Sequence, residues 1–89
     1  MTDEQLLAKV KCALLIGGTY HDEMLKIYIS EVIDFLRSAG VEETILQSEK
    51  IVGIVSRGVA DLWNFGAGDG KLSPYFYQRA AQLTTETGA

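Results

Sequence analysis

The sequence predicts an all-α fold: one small domain of four helices, two long central ones flanked by a short first and a short last helix. Three observations carry this reading. Apolar residues recur at three- and four-residue spacing in each long segment, as on one face of a helix. Helix start and stop residues punctuate those segments at the right places. Eighty-nine residues suffice for a single domain spanning 1–89, and a chain of this size buries only about 60–65% of the surface its unfolded form exposes.

The first helix is expected from Asp3 to Leu15. Thr2 is placed to cap it, and Asp3 and Glu4 sit at the positive end of its dipole. Leu6, Leu7, Val10, Leu14 and Leu15 form its apolar stripe, and Gly17-Gly18 ends it. The second helix runs from Asp22 to Ala39, opened by the capping pattern Thr19-Tyr-His-Asp22 and closed by Gly40. Met24, Leu25, Tyr28, Ile29, Val32, Ile33, Phe35 and Leu36 give it a face wide enough for two neighbours. Lys26, Ser30, Asp34 and Arg37 mark the polar strip.

Residues 41–48 connect, with room for one helical turn at Glu42–Leu46. The third helix, from Ser48 to about Phe65, competes with a strand over Ile51–Val55, because that stretch is β-branched and Gly53 and Gly58 weaken a helix. The cap signal at Ser48, the length of the run and the Ile51/Val55/Val59/Leu62 spacing favour helix. Gly53 and Gly58 would then admit a close backbone neighbour. Residues 66–72 read as a glycine-rich loop. Ser73 caps a fourth helix with Pro74 at its first position, and Phe76, Ala80 and Leu83 face the core. Residues 84–89 have no apolar anchor and are expected to fray.

Composition narrows the function classes. The chain is 47% hydrophobic with a mean hydropathy of +0.10. Either the core is compact, or some apolar surface is buried against other subunits. The net charge is −4, all of it in residues 1–45, which carry four cations and eight anions. No basic stripe is present to neutralise phosphates, so tight DNA binding is not expected. Cys12 stands alone in an apolar run, where a buried, unreactive thiol is expected, and no intrachain disulfide can form. No leader or membrane-spanning segment is apparent, which points to a reducing cytoplasm.

The chemistry-bearing patterns fail on inspection. Gly66-Ala-Gly-Asp-Gly70-Lys71 is one residue short of a phosphate-binding loop, and Leu72 stands where Ser or Thr must reach magnesium. The dinucleotide pattern G-x-G-x-x-G is also missing. His21 has no converging partners beyond Asp22 and Glu23, which capping explains. The sequence therefore predicts no catalytic residue, no cofactor and no metal site.

What stands out instead is Trp63-Asn-Phe-Gly-Ala-Gly-Asp-Gly-Lys-Leu-Ser-Pro-Tyr-Phe-Tyr-Gln-Arg79, which holds five of the eight aromatic residues around a glycine-rich turn. Large, stiff side chains presented from two helix ends make contact area at low entropic cost. Trp63, Phe65, Tyr75, Tyr77 and Arg79 are the candidate protein-contact residues, while Trp63 and Phe76 fit equally well at the base of the core. This segment resembles one in the small head–tail connector (adaptor, or head-completion) proteins of tailed bacteriophages and prophages, and the order of helices over nearly the whole chain is similar too. The resemblance implies a structural virion protein at the head–tail junction, assembled in the cytoplasm of the bacterial host. Such proteins form a ring, often dodecameric, under the portal after DNA packaging. The ring extends the DNA channel and carries the tail-side stopper or tail-completion protein. Its partners would be other copies of itself, the portal and that tail-side protein. DNA would pass without specific binding, along a lining that the acidic first half permits, and no membrane would be involved. The chain is short for that group, with no evident extension beyond the last helix. A small helical interaction module of the regulator or antitoxin type shares most of these features, and a packaging accessory that grips DNA is disfavoured by charge.

Overall fold

The computed structural model describes residues 1–69 and 74–87, with the side chains of 65–69, 75 and 85–87 left aside. Among the described residues there are five helices and no strand: α1 (Asp3–Ala13), α2 (Asp22–Ser38), α3 (Glu43–Leu46), α4 (Ile51–Asp69) and α5 (Pro74–Thr87). The fold class is the all-α one that the sequence predicts, with the single turn anticipated at Glu42–Leu46 formed as α3.

α1 begins as its sequence dictates. The Thr2 hydroxyl accepts from the Gln5 amide at 3.1 Å, and the Gln5 side chain accepts from the Thr2 amide at 2.9 Å, a complete capping box. Its end is not where glycine was expected to put it. The helix stops at Ala13, and Leu15 takes the left-handed conformation with φ 59°. The Ile16 amide donates to the Lys11 carbonyl and the Leu15 amide to Cys12, the paired bonds of a Schellman ending. Leu15 thus occupies the position that usually falls to glycine, and its side chain is 93% exposed rather than in the apolar stripe. Cys12 also departs from expectation and is exposed. Leu6, Leu7 and Val10 define the buried face of α1, and residue 12 falls off it.

α2 starts at Asp22 with His21 as its cap residue, and no side chain makes the capping bond. The Thr19–Asp22 box does not form: with His21 at the cap, Thr19 and Asp22 do not hold the cap and third positions, and the Asp22 carboxylate instead accepts from the Lys11 ammonium at 2.7 Å, with both side chains largely covered. The far end does follow the sequence. Gly40 has φ 103°, its amide donates to Arg37, and the Val41 amide donates to Leu36. Val41 and Leu36 are both buried, the apolar contact that accompanies this ending.

Ser48 does not cap α4. Its hydroxyl donates to the Ile45 carbonyl at 2.8 Å, closing α3, and α4 begins three residues later at Ile51. The strand alternative over Ile51–Val55 gives way to helix because burial decides it: Ile51, Ile54, Val55, Val59 and Leu62 are all buried against α1 and α2. At about 25 cal/mol per Å2 of apolar surface, such a face outweighs the tenths of a kcal/mol by which β-branched residues disfavour helix. α4 also continues through Asp69, so residues 66–69 of the predicted loop are helical; residues 70–72 and the Ser73 cap lie outside the described residues. The two glycines play different parts. A Cβ at Gly58 would lie 2.8 Å from Phe76 Cε2 and from Val32 Cγ2, whereas one at Gly53 would meet nothing within 4 Å.

α5 starts at Pro74, buries Phe76, Ala80 and Leu83 as expected, and runs to Thr87. The Lys26–Glu4 pair at 3.8 Å and the Lys11–Asp22 pair set α1 antiparallel to α2. α4 runs back along α2, with Trp63 near His21 and Gly58 against Val32. Arg37 ties the end of α2 to α3, donating to the Glu43 carboxylate and to Asp34 at 3.1 Å. That hydrogen bond, together with the guanidinium charge, holds the Glu43 carboxyl below its usual range. A lowered folded-state value stabilises above the ordinary carboxyl pKa, and the gain disappears as pH falls through the folded value. Glu43→Gln should therefore narrow the stability gap between neutral and acid pH, read as a smaller drop in melting temperature on acidification than wild type shows.

Candidate functional site

The sequence-predicted contact residues do not form one surface. Trp63, half-buried, lies on the α4 wall where its indole meets the His21 ring edge-on, with centroids 4.9 Å apart. Tyr77, 48% exposed, sits on α5 with its ring against Phe35 at 5.4 Å and Phe76 at 5.9 Å. His21 caps α2 and Phe35 lies fourteen residues further along it, which at 1.5 Å per residue separates the two surfaces by about 21 Å. Arg79, half-buried, donates to Gln82 on its own helix. The side chains of Phe65 and Tyr75 lie outside the described residues. Phe76 is entirely buried and belongs to the core.

Around Trp63 the structure brings in residues that the sequence reading missed. A cleft of about 320 Å3 is lined by Leu14, Ile16, Ala60, Trp63 and Asn64. Beside it the α1–α2 connection displays Leu15 at 93% and Tyr20 at 91% exposure, the two most exposed large apolar residues among those described. Tyr20 stacks edge-on to His21 at 4.8 Å, so rings 20, 21 and 63 form a row. One signal was present: residues 12–21 are the longest run in the chain without a charged side chain.

The loop is held firmly. The Lys11 ammonium, in the last turn of α1, donates to the Gly18 carbonyl as well as to Asp22 at the start of α2. With the Schellman ending on one side and the ring row on the other, both ends of the connection are pinned. His21 thus acts as a packing ring between Tyr20 and Trp63. A tethered apolar loop loses little entropy on contact, which favours recognition.

A larger groove of about 460 Å3 between α1 and α2 has Leu6, Leu7, Ile29 and Ile33 in its lining. Its two cations are already engaged, Lys26 by Glu4 and Glu23, and Arg37 by Asp34 and Glu43. Among the described residues no three His, Cys, Asp or Glu converge on a metal-sized point, and no helix is long and apolar enough to cross a membrane. What the molecule presents is two apolar, ring-bearing surfaces at opposite ends of one helix. The chain matches no family model, no curated protein and no solved structure.

Proposed function

We propose that this chain is a structural subunit of a bacteriophage head–tail connector: a ring-forming adaptor that sits under the portal after packaging, extends the DNA channel and carries the tail-side proteins. The observation that carries the reading is the pair of separate apolar surfaces, the Leu15/Tyr20/Trp63 end and the Phe35/Tyr77 end, about 21 Å apart along α2. A closed ring uses heterologous contacts, so each subunit needs two different, non-overlapping patches. The resemblance of segment 63–79 to connector proteins supplies the kind of ring. In this reading the chain works by contact alone, without catalysis or cofactor, and its place is the virion. DNA slides past a protein whose net charge of −4 gives phosphates no grip.

The test is to incubate the purified chain with the portal ring of its own phage and image the product by electron microscopy. The expected result is an added ring of density beneath the portal, together with no salt-dependent affinity for free DNA. A chain that ignores the portal and every tail-side protein overturns the proposal.

A further inference from the structure

The groove between α1 and α2 is a stripe rather than a pit. Along α2 it is lined by Lys26, Ile29, Ile33 and Arg37, at i, i+3, i+7 and i+11, and Leu6 and Leu7 of α1 complete its apolar floor. Lys26 and Arg37 stand eleven residues apart, so the stripe is about 16 Å long, or three helical turns. Its charge lies at the two ends and on one rim. At one end the Lys26 ammonium is 3.8 Å from Glu4 and 3.9 Å from Glu23; at the other, Arg37 is 3.1 Å from Asp34 and also bonds Glu43. One cation against two carboxylates leaves each end with a single net negative charge. Asp3, exposed on the α1 rim, adds another and has no ion pair among the described residues. All of these pairs are solvent-exposed, so they are weak and exchange readily with an incoming cation.

A small-molecule site gathers its polar groups onto one point, whereas these are strung along the groove. Their spacing matches a helix instead: residues eleven apart are three turns apart and share one face. We propose that the α1–α2 groove receives a cationic amphipathic helix from a different protein. The apolar stripe of that helix lies over Ile29 and Ile33, and basic residues at its i and i+11 positions meet the two acidic ends. Arginine suits those positions, because its planar fork bonds carboxylates in pairs. This is the helix-in-groove mode of recognition, with charge fixing the register. A second copy of this chain does not supply the helix, since residues 1–45 are acidic and residues 46–89 carry as many anions as cations. The inference goes beyond the connector reading and stands without it, because the two surfaces assigned to ring contacts are built from other residues.

The probe is a fluorescent, alanine-based synthetic helix of about 18 residues, long enough to be helical alone, with arginine at i and i+11 and leucine at i+4 and i+7. Anisotropy titration with the full chain should show saturable binding at low salt, with a Kd of about 0.1 mM or tighter, that weakens as sodium chloride is added. Two altered probes leave the protein untouched. Exchanging the leucines for serine keeps every charge, and moving one arginine to i+9 keeps the composition; each should bind at least tenfold more weakly. On the protein, Ser30→Arg places a bulky cation in the groove from an exposed helical position and should also cost at least tenfold, with the melting transition retained. Amide chemical shifts should move along the Lys26–Arg37 stripe and the first turns of α1. The inference is overturned if no binding saturates below about 1 mM, or if the serine or shifted-arginine probe binds as well as the parent, which is plain attraction to an acidic surface. It is equally overturned if Ser30→Arg binds normally or the shifts centre on the Leu15/Tyr20/Trp63 loop. Portal docking that persists in Ser30→Arg leaves the connector reading standing whatever the peptide does, and peptide binding without portal docking does the reverse.

Discussion

Replacing Phe76 with alanine is expected to cost the domain about 3–5 kcal/mol, the range for deleting a fully buried aromatic side chain. Phe76 is 0% exposed and stands where three helices meet: its ring lies 5.5 Å from Phe35 of α2, and it covers the Gly58 site on α4. Because Phe76, Ala80 and Leu83 are the buried side chains of α5 among those described, much of the loss falls on the attachment of that helix. A chain of this length has roughly 4–13 kcal/mol of total stability at 0.05–0.15 kcal/mol per residue. The variant should therefore melt at least about 12 °C below wild type, at about 4–8 °C per kcal/mol. Calorimetry measures the drop, and hydrogen exchange should show α5 amides losing protection before those of α2 and α4. Phe76→Leu keeps most of the volume and should cost far less. If alanine shifts the midpoint by only a degree or two, Phe76 is a surface contact and the core assignment is wrong.

The contrast between Phe76 and Trp63 shows what a sequence can say about such a segment. Both are large aromatics flanking the glycine-rich stretch, and spacing alone left each free to be core or contact. Phe76 became legible through its i+4 and i+7 partners Ala80 and Leu83, which are buried with it. Trp63 follows the buried Leu62 at the edge of the α4 face, and an edge position is settled only by what lies across it, here His21 from the start of α2. Trp63 and Tyr77 are close in sequence, yet α4 and α5 carry them to opposite ends of α2. No local pattern encodes that separation.

Local signals succeeded where no other group competed and failed where one did. Thr2, Gly40 and Pro74 each mark the boundary that their chemistry implies. At the start of α2, Asp22 is taken by Lys11, eleven residues away; before α4, Ser48 bonds back to Ile45. Leu15 inverts the usual rule. The glycine pair at 17–18 pointed to the helix end, but the residue in the left-handed position is a leucine that glycine could replace.

The second large effect is expected from one methyl group. In a helix interior, Gly→Ala gains about 1 kcal/mol from propensity and reduced chain entropy wherever the Cβ fits. At Gly53, where nothing lies within 4 Å of the new atom, the full gain should appear as a melting temperature about 4–8 °C higher. At Gly58 the same change drives the Cβ to 2.8 Å from both Phe76 Cε2 and Val32 Cγ2, with Val32 Cγ1 at 3.0 Å. Neither neighbour can swing away: Phe76 is fully buried, and Val32 is 1% exposed with a β-branched side chain stiff at χ1. Overpacking of this kind costs about 1–3 kcal/mol and exceeds the propensity gain, so Gly58→Ala should lower the midpoint while Gly53→Ala raises it. Coupling supplies the sharper check. With Phe76→Leu in the background, the penalty at Gly58 should shrink by about 1 kcal/mol, because the smaller side chain vacates the space the methyl needs, whereas the Gly53 effect should be unchanged. Equal effects at the two glycines, or additive behaviour of Gly58→Ala with Phe76→Leu, would mean that α4, α2 and α5 do not meet at this point.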